Sequence, residues 1–128
     1  MNIQPAVLLY NFTDPDRLRL IRYYLNHHKV KVRIVTPPEF LHPLGYLFEI
    51  PGFRPSAQFN LGGNFSDEML VLHGFSNEQM DAFLAFFREK QIPSVALKAM
   101  LTPVTQHWSS IQLHDELTRE HKMMHKNK

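Results

Sequence analysis

Two stretches of the chain, Val7–Leu9 and Met69–Leu72, are apolar at every position. That is the pattern of strands covered on both faces, whereas Lys29–Ile34 alternates cations with β-branched residues, as a strand with one wetter side does. Together with the mixed run ending at Met100, the pattern predicts strands over about 6–12, 30–36, 69–74 and 94–100. The first and third read as central and the second and fourth as edges, with Lys31, Arg33 and Lys98 guarding those edges. Between the strands the period changes to that of a helix. Leu18, Ile21 and Leu25 follow Asp14 as cap and Pro15 at the first helical position, predicting a helix over 14–28. Met80, Phe83, Leu84 and Phe87 follow Ser76 and Gln79, a capping box, and Phe75 and Met80 make a hydrophobic staple, predicting a helix over 77–91. Ser109 with Gln112 opens a last helix over 109–123, and 44–48 reads as a short one.

Val7-Leu-Leu-Tyr-Asn-Phe-Thr13 and Leu70-Val-Leu-His-Gly-Phe-Ser76 align without a gap. Each opens a strand–helix–strand unit, so the expectation is one domain of two pseudo-repeats, 6–36 and 69–100, joined by a Pro- and Gly-containing linker, 37–68. The fold class expected is α/β: a mostly parallel four-stranded sheet in the order 2-1-3-4 with helices on both faces and a C-terminal helix. The alternative is a ferredoxin-like α+β fold, in which a C-terminal helix or the second copy of a homodimer would cover the free face.

Composition narrows the setting. The chain has 128 residues, 44% hydrophobic and 20% charged, with no Cys. These values exclude low-complexity, collagen-like and disulfide-framework classes, and remove cysteine nucleophiles and thiolate metal sites together. No apolar run reaches the ~18 residues of a membrane span, and residues 1–11 lack the pattern of a signal peptide, so a cytoplasmic protein without membrane contact is expected. Net charge is only +2. Its distribution is uneven: Arg119, Lys122, Lys126 and Lys128 form a basic tail over 119–128, and Arg17, Arg19, Arg22, Lys29, Lys31 and Arg33 crowd the first third.

With parallel central strands, a ligand is expected at their shared carboxyl edge, where Tyr10 and Asn11 end the first strand and His73 and Gly74 the third. His73 would supply a group titrating near neutrality, and Gly74 close backbone approach. An anion is expected instead at the last helix start, where His107, Trp108 and Ser109 carry no acid and Lys98, Thr102 and Thr105 precede them. The helices starting near 14 and 77 already seat Asp16 and Glu78 there. Each of these residues also has a structural reading: Tyr10 and His73 as fillers of equivalent places, Trp108 as a core plug, Lys98 as an edge charge. His121 and His125 share a helical face but lack the Glu of a zinc-enzyme motif, so no metal site and no cofactor is expected. No nucleophile elbow, phosphate loop or dinucleotide fingerprint occurs.

The segments Asp67-Glu-Met-Leu-Val-Leu-His-Gly-Phe-Ser76 and Ile92-Pro-Ser-Val-Ala-Leu-Lys-Ala-Met-Leu-Thr-Pro103, with Trp108 before a final helix, resemble a bacterial domain of unknown function, number 3783. The resemblance extends through Leu8–Phe12, Pro43–Gly45 and Pro51–Phe53. It implies a bacterial, cytosolic setting and names no catalytic residue. The functional expectation is therefore a non-catalytic binding or regulatory module for a small anionic ligand or a protein partner. The alternatives are a weak nucleic-acid binder using the basic first third and tail, and an enzyme using His73 as acid or base.

Overall fold

The continuous apolar runs form the two middle strands of one sheet. A computed structural model describes residues 4–62 and 64–126. The strands are β1 (Ala6–Tyr10), β2 (Lys31–Val35), β3 (Met69–His73) and β4 (Leu97–Met100), in the order β2-β1-β3-β4. The helices are α1 (Pro15–His27), α2 (Leu44–Leu47), α3 (Asn77–Glu89) and α4 (Ser110–Lys126). β1 pairs with β2, and β3 with β4, in parallel. The order and the mostly parallel character are those expected, and the two parallel pairs exclude the antiparallel ferredoxin-like sheet.

The central pair departs from the expectation. β1 and β3 run antiparallel, Ala6 opposite His73 and Tyr10 opposite Met69. The path of residues 37–68 explains this. β2 ends level with Tyr10, and the linker runs down the sheet until Glu49 reaches Lys31 opposite Ala6. It then returns, Phe65 packing on Tyr10, to enter β3 at the end where it began. A parallel β3 would need a linker that finishes at the far end.

Alternation along the middle strands divides the core into two layers. Val7, Leu9, Leu70 and Leu72 meet Ile21 and Leu25 of α1 and Phe83, Phe86 and Phe87 of α3 on one face. Leu8, Tyr10, Met69 and Val71 meet Phe40, Leu44 and Leu47 of the linker and Leu113 of α4 on the other. Gly45 is required where α2 docks: a Cβ there would stand 2.6 Å from the Phe53 ring.

The caps behave as read. Asp14 accepts from the Asp16 and Arg17 amides, and Ser76–Gln79 and Ser109–Gln112 each close a reciprocal box. Both long crossover helices stop short of their expected ends by the same device. Lys29 and Gln91 take positive φ (59° and 55°), and the next apolar residue donates back into the last turn, Val30 to Leu25 O and Ile92 to Phe87 O. This Schellman arrangement buries Val30 and Ile92 as end plugs and delays the following strands to residues 31 and 97. Among the described residues, no helix is long and apolar enough to cross a membrane.

Candidate functional site

The antiparallel central pair takes the expected carboxyl edge apart. Tyr10 and Asn11 lie at one end of the sheet and His73 and Gly74 at the other, since Ala6 opposes His73. His73 packs against the Phe48 ring (5.3 Å between centroids), and burial pushes its imidazole below the ordinary value. Its ring makes no hydrogen bond to a described residue, so nothing orients it as an acid or base.

The anion site at the start of α4 is not assembled either. Lys98 opposes Leu70 and so projects to the α1/α3 face, whereas Trp108 packs in the opposite layer. The donors at the helix start are also used within the fold. The Ser109 amide bonds Gln112 Oε1, the Ser110 amide bonds Phe40 O, and the Gln112 amide bonds Ser109 Oγ. Thr102 and Thr105 close a turn on one another, and His107 lies against Phe53. Among the described residues, no three His, Asp or Glu side chains gather to hold a metal. Of the His pair, the side chain of His125 falls outside the described residues, as do the Lys126 side chain and Lys128 of the basic tail.

The fold does join Tyr10 to the start of α4, through a neighbour that the sequence pattern does not single out. Tyr10 Oη and Ser110 Oγ, both completely buried, are 2.6 Å apart. Burial raises the phenol's pKa, against a smaller opposing effect of the Ser110 bond, so Tyr10 is a neutral partner. One turn on, His114 stacks on Phe65 (4.0 Å, 9°) and shares hydrogen bonds with Asp67 (2.8 Å) and Asp115 (3.3 Å). Asn11, at φ 62°, donates to the carbonyls of Phe65 and Asp67. Ser, His and Asp are thus close together, yet Ser110 is bonded to Tyr10 and sealed from solvent, without the nucleophile–base link of a hydrolytic triad. The cluster is a clasp that pins α4 and residues 65–67 over β1.

A more open arrangement lies on the other face, between the end of α3 and the start of β4. Leu84 and Arg88, one turn apart on α3, stand over a hollow of about 380 Å³. Leu70, Phe87, Ile92 and Val95 line it with apolar surface, and Ser94 and Lys98 complete its rim. The lining carries two cations and no acid. Lys98 Nζ donates to Val95 O at 2.8 Å, which occupies one of its three protons and fixes the ammonium at the rim. Arg88 makes no ion pair with a described residue.

The wall of this hollow is braced from the first unit. Arg17, only 9% exposed, donates through Nε (3.2 Å) and Nη2 (2.8 Å) to Pro93 O, pairs with Glu68, and lies over the Phe12 ring at 5.1 Å. It therefore holds the turn that carries Ser94 and Val95. By contrast, a hollow of about 280 Å³ beside β2 has its cations neutralised, Lys31 by Glu49 and Arg33 by Glu39.

Of the residues expected at a site, Lys98 alone lines this hollow; Arg88 and Ser94 are not among them. The signal for Arg88 was its place one turn after Leu84, on the flank of the apolar stripe. Residues 68–124 match the family model of a domain of unknown function, DUF3783. The DUF3783 match takes in β3, α3, β4 and most of α4, and every residue lining the hollow. It is narrower than the resemblance read from the sequence, since residues 8–12, 43–45 and 51–53 lie outside it, as does Arg17. No curated protein and no solved structure matches the chain.

Proposed function

We propose that this is a cytoplasmic, non-catalytic binding module whose α3–β4 hollow takes a small amphipathic carboxylate. One observation carries the reading: Arg88 and Lys98 stand at the rim of an apolar hollow whose lining holds no acid. The volume, about 380 Å³, falls within the range of small-molecule sites. Burying an alkyl chain there is favourable by ~0.8 kcal/mol per methylene, and two cations at the mouth select the charged end. Inorganic phosphate gains only the second of these contributions.

The nucleic-acid alternative finds less support, because four of the six cations in the first third already face acids. Arg17 pairs with Glu68, Arg19 with Asp16, Lys31 with Glu49 and Arg33 with Glu39.

Thermal unfolding and calorimetry with sodium octanoate test the reading, with inorganic phosphate as control. Octanoate at ten times its dissociation constant should stabilise the fold by about 1.4 kcal/mol, phosphate much less. The Arg88→Ala/Lys98→Ala variant should keep its circular dichroism and lose the shift. An equal shift in that variant, or none in the unsubstituted protein at millimolar octanoate, overturns the proposal.

A further inference from the structure

We infer that the carboxylate this hollow receives is the C-terminus of a partner polypeptide, added to the sheet as a fifth strand beside β4. This deepens the reading above and rests on it. The new observation is the state of the β4 edge. β4 ends the sheet, with β3 on one side only. The Leu101 amide donates to Leu72 O, so by strand alternation Leu97 and Ala99 also direct their backbone groups to β3. The N–H and C=O groups of Lys98 and Met100 therefore face outward. They form a short ladder with no second strand, the kind of edge that captures an extended peptide.

The hollow adjoins this edge at the beginning of β4, since Ile92, Ser94, Val95 and Lys98 line it. That placement sets direction. A peptide whose last residue sits in the hollow runs antiparallel to β4, passing Met100 first and Lys98 last. Its terminal carboxylate then meets Lys98 Nζ and the Arg88 guanidinium, and its last side chain enters the space over Leu70, Phe87 and Val95. Such a chain end supplies what the site offers partners for: negative charge, an apolar side chain and unpaired backbone groups. A free fatty acid satisfies two of the three. The terminal residue is therefore expected to be Leu, Ile, Val or Met, with no acid requirement further up the chain.

The test compares four probes on the full protein: octanoate, a fluorescent hexapeptide ending in Val-Thr-Leu with a free carboxylate, the same peptide as its C-terminal amide, and the free acid N-methylated at alternate residues. The free acid should bind, the amide and the N-methylated form should bind roughly tenfold more weakly or worse, and Arg88→Ala should reduce the acid's affinity without affecting that of the amide. In the complex, hydrogen exchange at the Lys98 and Met100 amides should slow. Binding of octanoate without the peptide overturns the inference and leaves the carboxylate site standing. So does equal affinity for acid and amide, or for the N-methylated form. Failure of every probe overturns both.

Discussion

Tyr10 and Ser110 offer the sharpest check on how the two ends of the chain are held together. Both side chains are completely buried, and each is the other's hydrogen-bond partner at 2.6 Å. Ser110→Ala leaves the phenol in the core without an acceptor. Tyr10→Phe keeps the ring against Phe40 and Phe65 and leaves the serine hydroxyl unpaired. Each single change should cost about 1–3 kcal/mol, because a buried polar group loses its partner without regaining water. In the double variant both polar groups are gone, and the cost should fall to about 1 kcal/mol or less. The signature is thus non-additivity: a coupling of at least about 1 kcal/mol, with the double variant no less stable than the worse single one. Urea denaturation of the four proteins measures it, and melting temperatures should follow at roughly 3–5 °C per kcal/mol for a chain of this size. Single-variant costs that sum to the double-variant cost within about 0.5 kcal/mol would refute the reasoning.

Two further outcomes follow from the same geometry. Burial holds the His73 pKa below its ordinary value, so the unfolded chain takes up a proton more readily than the folded one; stability is intact above about pH 6.5 and is lost as pH falls through the folded-state value. His73→Gln should therefore gain on the unsubstituted protein between about pH 7.5 and about pH 5 in denaturation midpoints, and a pH-independent difference would count against it. Arg17→Met keeps the aliphatic stem but strips Pro93 O and the part-exposed Glu68 of their cation, which should cost about 1–3 kcal/mol by urea titration and weaken octanoate binding at the hollow. Unchanged stability would show that the guanidinium braces nothing.

Much of the fold was written locally. The unbroken apolarity of residues 7–9 and 69–72 placed them centrally, and caps at Asp14, Ser76 and Ser109 fixed where helices begin. Strand direction was not local: β3 enters antiparallel because of where residues 50–65 return, and no residue in β3 encodes that. The site expectation failed with it, since Tyr10 and His73 share an edge only in a parallel pair. Helix ends are not legible for a different reason, as Lys29 and Gln91 take a left-handed conformation that glycine usually advertises. The burial of His114 depends on the Phe65 ring, which is distant in sequence.

The two strand–helix–strand units differ at the places of Arg88 and Lys98. α1 and α3 are both 13 residues long, and β1 and β3 pair so that Val7 and Leu70 take equivalent places. On that equivalence Asn26 occupies the position of Arg88, because each is the penultimate residue of its helix. Val32, beside Val7, occupies that of Lys98, beside Leu70. The first unit therefore makes the same crossover, with the same helix-ending device, without either cation. A strand in Lys98's place packs well with valine, and a helix ends well with asparagine in Arg88's. Two like charges at one rim repel, and an anion bound between them, as proposed, offsets that repulsion.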